Sequence, residues 1–303
     1  VEDCLYLDVG TPALRPARPL PVLVWIHGGS NKAGSGAGTV TSSVVRRGVV
    51  LVSIQYRLGA LGFMAHRALS AEAGGASGNY GLMDQQAALR WVRRNIARFG
   101  GDPGNVTIAG ESAGAQDVGL QQLSPLAAGL FHRAIQGSGT AGFGFPPRDL
   151  RRSEAIGEEI ARIAGVSDGS AAQLRALPAR ALLEASRRIA VPPGLTDNGV
   201  VWLQASIDGR VITEAPATTL ARGGGNRVPL LIGSNTREID FFPTPDAART
   251  AVRGAFGASA AQALAGYRLD RGPAPADDPV DGPIGLRVAT DIIFTCPTVH
   301  VAT

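Results

Sequence analysis

Two hydrophobic periods alternate along the chain. "PVLVWIHGG" (21–29) and "GVVLVSIQYR" (48–57) are continuous apolar runs, the first closed by glycines. Such runs predict strands buried on both faces of a parallel sheet. Over 84–105, "DQQAALRWVRRNIARFGGDPGN" changes to a helical period. Ala88, Trp91, Val92, Ile96 and Phe99 recur on one face, arginines gather toward the C-terminus, and Gly100-Gly101 then Pro103 stop the pattern. "NVTIAG" (105–110) reads as the next strand, "AGAQDVGLQQL" (113–123) as a helix ended by Ser124-Pro125, and "HRAIQGSG" (132–139) as a further short strand. This alternation predicts an α/β fold around a mostly parallel sheet.

The texture changes from about 150 to 190. "SEAIGEEIARIAG" and "SAAQLRALPARALLEASRRIA" are helical patterns, the second interrupted by Pro178, and together they read as a helical insertion. "RVPLLIGSN" (227–235) returns to the sheet, and "LRVATDIIFTCPTVHVAT" (286–303) is helical but broken by Pro297. The organisation expected is a single, incomplete α/β domain over 1–303, because "VEDCLYLDV" begins abruptly and the last helix stops without a terminating signal.

The chemistry centres on "NVTIAGESAGAQDVG" (105–119), a strand, a sharp turn and a helix with Ser112 at the apex. G-x-S-x-G occurs at Gly110–Gly114 and again at Gly165–Gly169. The second copy follows a helix and precedes an N-cap at Ser170, so it reads as a connecting loop. Only the first passes from strand straight into helix, which thrusts the serine up in a strained conformation, with glycines two residues to either side making room. A helix N-terminus behind Ser112 also sets positive dipole near a developing alkoxide. Acyl transfer needs donors for the oxyanion. The N–H of Ala113 is one candidate, and "HGGS" (27–30), just after a strand, offers Gly28 and Gly29. His27 reads as ordering that loop rather than as a base.

Composition narrows the alternatives. The net charge of +4 is almost wholly arginine, since Lys32 is the only lysine, and the arginines are scattered. No basic run or aromatic-basic interleaving points to nucleic acid. Two cysteines, Cys4 and Cys296, cannot build a disulfide framework or a metal site. The apolar run in "PLPVLVWI" is far short of a membrane span.

"EDCLYLDV", "PVLVWIHGG", "YRLGALGF", "GNYGLMDQQAALRWVRRNIARFGGDPGNVTIAGESAGA", "LSPLAAGLFHRAI" and "RVPLLIGSNTRE" together resemble the type-B carboxylesterases, the esterase/lipase group that includes cholinesterases. The resemblance implies an α/β-hydrolase fold and hydrolysis of small carboxylic esters through an acyl-enzyme, with no cofactor and no metal. It implies Ser112 as nucleophile, Gly28, Gly29 and Ala113 as oxyanion donors, and Glu238 in "GSNTRE" as the acid that orients the base. On residues alone Glu238 could equally be a solvated loop carboxylate. A non-catalytic adhesion or binding module is the alternative function. Oligomeric state and localisation, cytoplasmic or secreted, stay open.

The pattern departs from the family in three places. The family's histidine follows the acid, yet His27, His66 and His132 precede Glu238, and His300 matches a non-catalytic position. The base is therefore expected beyond residue 303, and residues 1–303 alone are expected to turn over about 10⁴–10⁶-fold more slowly than a complete triad. Asp117 stands where the family usually has a serine near the acid, so like-charge repulsion with Glu238 is expected. Ser30 replaces the third glycine of the usual "HGGG".

Overall fold

The computed structural model describes residues 2–144, 146–167, 169–189 and 204–303. Its strands are β1 (Leu7–Gly10), β2 (Leu20–Ile26), β3 (Val50–Ile54), β4 (Gly101–Glu111), β5 (Arg133–Gly137), β6 (Arg148–Asp149), β7 (Ser206–Ile207) and β8 (Leu230–Gly233). Six form the main sheet in the order β1-β3-β2-β4-β5-β8. Every pairing is parallel except that of the edge strand β1 with β3. The fold is thus α/β, with the α/β-hydrolase arrangement of a mostly parallel sheet between helices.

The apolar runs explain the layering. All five residues of β3 are buried, as expected for a doubly covered strand. In β2 only Val22, Val24 and Ile26 are fully buried, while Leu23 and Trp25 on the other face stay half-buried. These strands share one core with Leu82, Leu89, Val92 and Ile96.

The helix expected at 84–105 runs instead from Tyr80 to Asn95, followed by a 3-10 turn over Ile96–Phe99. Gly100 closes that turn at φ 81°, and Gly101 already pairs with Leu20, so the sheet claims residues 101–105. The inner face of the helix also buries Gln85 and Gln86, which the apolar period did not include.

Helices Leu150–Ile163, Ala171–Ala176 and Ala179–Arg188 occupy the stretch after β6, and Pro178 caps the last of them. Ser170 caps the middle one, its hydroxyl accepting from the Gln173 amide at 3.1 Å. Asp168 of the second G-x-S-x-G and Ala190 of the last helical pattern lie outside the described residues. β6 and β7 pair in parallel, and Asn79 clasps β7 by bonding both the N–H and the C=O of Ser206, at 2.9 and 2.8 Å.

Pro297 does not break the final helix. Residues Ile284–Ala289 are α-helical, Thr290–Thr295 form a π-helical stretch, and Cys296–Ala302 resume the α-helix. Proline has no N–H to give the carbonyl one turn back, and the wider π turn immediately before it absorbs that irregularity. Among the described residues, Ile284–Ala302 is the one helix long and apolar enough to cross a membrane, at 19 residues and a mean hydropathy of 1.2. Several of its apolar side chains are used within the protein, while Val299 is exposed. Ile284 and Val288 join a second, smaller core with Ala248, Val252, Leu264 and Leu269. Ile293 and Phe294 wall the cleft described next.

Candidate active site

β4 passes into the helix Ala113–Leu123 through a single residue, Ser112, held at φ 55° and ψ −125°. An L-residue in such a conformation costs about 1–3 kcal/mol and persists only when its surroundings enforce it. Here they do. The Ser112 amide donates to the Gly137 carbonyl of β5 at 2.9 Å, and its carbonyl accepts from the Gln116 amide at 3.0 Å. Gly114 lets the helix start press on the end of β2, since a Cβ there would lie 2.8 Å from the His27 carbonyl.

The loop after β2 folds over this elbow. A Cβ on Gly28 would sit 2.6 Å from the Glu111 carbonyl oxygen and 3.2 Å from Ser112 Cβ. Glycine is therefore what allows the Gly28 backbone to reach the serine. Gly29, Ser30 and Asn31 then follow with φ of 107°, 57° and 54°, a left-handed turn in which Ser30 takes up a conformation that suits glycine. The amide of Ala113, the first in its helix, has no intrahelical acceptor. Ser112, Gly28 and Ala113 thus converge, with Gly29 adjoining.

Polar ties hold the loop from below. The Tyr56 hydroxyl lies 2.6 Å from the His27 carbonyl and 3.1 Å from Asn31 Oδ1, and the Gly59 amide donates to the Asn31 carbonyl at 2.6 Å. The His27 ring stacks on Tyr56 with centroids 4.5 Å apart and donates from Nδ1 to the Gly28 carbonyl at 2.8 Å. Burial lowers its pKa, and its Nε2 has no partner among the described residues. These contacts make His27 a tie within the loop.

The other histidines have contacts of their own. His66 caps a helix by accepting from the Ala68 amide at 3.1 Å. His132 accepts from the Val106 amide at 3.1 Å, toward the opposite end of β4. His300 packs edge-on against Phe143 at 5.0 Å. Phe143 itself lines the cleft that includes Ser112, with Ile239, Phe241, Ile293 and Phe294, and the cleft opens to solvent. Among the described residues no group of three or more His, Cys, Asp or Glu is placed to hold a metal.

Glu238 follows β8, with both carboxylate oxygens bonded to Asn235, the amide at 2.7 Å and Nδ2 at 3.3 Å. It lies near Glu111, whose pKa is raised first by desolvation and then by the Glu238 charge. The repulsion expected between Glu238 and Asp117 is not what the structure shows. Asp117 is fully buried, with Glu238 absent from the charges acting on it, and accepts from Asn31 Nδ2 at 3.1 Å and Gln85 Nε2 at 2.6 Å. Burial, against those two bonds, pushes its carboxyl up to about 7. Tyr56, Asn31 and Gln85 were not among the candidates from sequence. The one signal available was a pair of glutamines standing inside the core face of a helix.

A protein-family model described as the carboxylesterase family matches residues 1–263. The chain is 40% identical over 245 residues to fumonisin B1 esterase of Sphingopyxis macrogoltabida, covering 80% of this chain and 43% of that protein. It is 38% identical over 252 residues to para-nitrobenzyl esterase of Bacillus subtilis (strain 168), covering 81% and 49%. It therefore spans about half the length of the curated relatives it matches. Among solved structures, a PNB esterase superposes with a TM-score of 0.81 at 32% identity, covering 100% of this chain and 63% of that one. The carboxylesterase of Geobacillus stearothermophilus at pH 6.2 gives 0.81 at 33%, covering 99% and 62%. The strained serine between strand and helix, the glycine loop folded onto it and these similarities agree: the chain belongs to the carboxylesterase family.

Proposed function

We propose that the protein hydrolyses carboxylic esters through an acyl-enzyme on Ser112. Ser112 Oγ attacks the ester carbonyl carbon as a histidine takes its proton. The oxyanion rests on the N–H groups of Gly28, Gly29 and Ala113, and the histidine passes the proton to the departing alcohol. Water then repeats the sequence and frees the acid. Glu238 orients the histidine; of the four in the chain, His27, His66 and His132 are held by backbone hydrogen bonds and His300 packs on Phe143. No metal or cofactor takes part.

The observation that carries the reading is Ser112 at φ 55° on the floor of the cleft, with Gly28 packed against it. The aromatic and aliphatic walls of that cleft suit an uncharged, largely apolar acyl or alcohol group. A fluorophosphonate ester tests the chemistry directly, because Ser112 Oγ displaces fluoride only when activated. The natural protein should gain one adduct, mapped to Ser112 by mass spectrometry, and none in Ser112→Ala. His300→Ala should keep both the adduct and ester turnover. A folded natural protein that takes no adduct and turns over no ester would instead be a non-catalytic binding module.

A further inference from the structure

The oxyanion loop is tied to the protein interior by a chain of polar groups whose directions can be worked out. At one end, the Leu82 carbonyl can only accept, and Gln121 Nε2 donates to it at 3.0 Å and to Gln85 Oε1 at 2.9 Å. Gln85 must then present Nε2 to Asp117, at 2.6 Å. At the other end, the His27 carbonyl also can only accept, and it lies 2.6 Å from the Tyr56 hydroxyl. Tyr56 has one proton, and the His27 carbonyl takes it.

With Asn31 Nδ2 turned toward Asp117, Oδ1 faces the Tyr56 oxygen at 3.1 Å, two acceptors with no proton left between them. Reversing the Asn31 amide, whose oxygen and nitrogen have nearly the same shape, supplies Tyr56 with a donor. It also sets Asn31 Oδ1 against Asp117 Oδ1, and a proton on Asp117 then completes every bond in the chain.

We propose that Asp117 is a positioning residue of the oxyanion loop, and that it acts as the neutral acid, donating to Asn31 and through Asn31 and Tyr56 fixing the His27 carbonyl. The inference rests on the esterase reading only in that it gives this loop a catalytic purpose. Burial favours the neutral form, since Asp117 and Gln85 have no exposed surface and Asn31 and Tyr56 are each 3% exposed. Of the groups that face this chain from the loop, from β3's C-terminal end and from the helix Tyr80–Asn95, Tyr56 and His27 are ionisable. Burial with the Asp117 charge drives the Tyr56 pKa upward, so it stays a phenol, and burial lowers that of His27, whose ring stacks on Tyr56. Gly28 and Gly29 lie between the two anchored residues, His27 and Asn31, so the chain determines where their N–H groups stand.

Asparagine copies a protonated aspartic acid atom for atom here, accepting from Gln85 and donating to Asn31, whereas alanine leaves both without partners. The natural protein and its Asp117→Asn, Asp117→Ala and Tyr56→Phe variants would be titrated with a fluorophosphonate, and ester turnover expressed per labelled site, so that misfolded molecules do not count. Asp117→Asn should keep kcat. Asp117→Ala and Tyr56→Phe should each lose at least about tenfold in kcat with KM little changed, because a displaced oxyanion donor acts in the transition state. If Asp117→Ala does not fold, Tyr56→Phe carries the test with Asp117 in place. Unchanged kcat in the variants that fold would remove the positioning role, and an Asp117→Asn as impaired as Tyr56→Phe would show that the carboxylate is the active form. A second readout needs no turnover. The stability of the natural protein against unfolding should fall as pH rises from 3.8 to about 7, and that fall should be absent in Asp117→Asn. A natural protein that shows this pH difference but takes no adduct would sink the esterase reading and leave the neutral acid standing.

Discussion

Replacing Gly28 by alanine tests the contact on which the oxyanion assignment depends. The added Cβ would lie 2.6 Å from the Glu111 carbonyl, while ordinary contact begins at 3.4 Å, so the two backbones must part by 0.8 Å (3.4 − 2.6). A donor that would stand about 2.9 Å from the oxyanion then recedes to about 3.7 Å, beyond hydrogen-bonding reach. Loss of one such donor costs about 3 kcal/mol in the transition state, or about 10²–10³ in kcat. Ground-state binding is made by the cleft walls, so KM should hardly move. The assay is steady-state hydrolysis of a chromogenic ester by the natural protein, with Gly38→Ala as control. Gly38 has a positive φ, 80°, but a Cβ there meets nothing within 4 Å, so its substitution strains the backbone without reaching Ser112. Gly28→Ala should lose kcat out of proportion to stability, and Gly38→Ala stability alone. A folded Gly28→Ala enzyme with kcat within about threefold of the parent would refute the assignment, because that loss is below 1 kcal/mol.

Other consequences follow from the same geometry. Ser30 at φ 57° bears a left-handed penalty of about 1–2 kcal/mol, so Ser30→Gly should raise the unfolding temperature by a few degrees in calorimetry; a fall would mean the Ser30 side chain stabilises the loop by more than the strain. Glu238→Gln should lower kcat by about 10²-fold or more if Glu238 orients the base, and should bring the Glu111 pKa back down in an NMR titration by removing the neighbouring charge. For Asp117, the folded pKa of about 7 stands above the unfolded 3.8. The folded state then binds the proton more tightly, and stability falls with rising pH across that window. The full difference of 3.2 units (7 − 3.8) corresponds to at most about 4 kcal/mol. Chemical denaturation at pH 4 and pH 8 should show it, and equal stability at the two pH values would mean that Asp117 is not held neutral.

What could be read from the sequence was what is local. Ser112 and its flanking glycines declare themselves because the strand, the turn and the helix all lie within fifteen residues, and β3 because a doubly covered strand is apolar at every position. Glu238 could be chosen over a solvated carboxylate only by resemblance, since nothing near it in sequence marks its place beside Glu111. The break expected at Pro297 does not occur, because a missing N–H interrupts an α-helix yet leaves a π turn free to take up the slack.

Asp117 shows where a position-by-position reading fails. Its two partners stand 86 and 32 residues away in sequence. Taken singly, Asn31, Gln85 and Asp117 are each a polar residue in the wrong place, and only together do they form a chain of satisfied bonds. The Gly29–Asn31 turn lacks the third glycine of the usual pattern, and two of its three residues carry left-handed strain. Such a turn needs an anchor, and the Asn31 side chain, at the strained end, is where the anchor attaches. The departures at Ser30 and at Asp117 are therefore parts of one arrangement, and changing Ser30 to glycine should relax the demand on Asp117. In the Ser30→Gly background, Asp117→Ala should cost less kcat than it does alone. Strictly additive losses would show that the strained turn and the buried acid are independent.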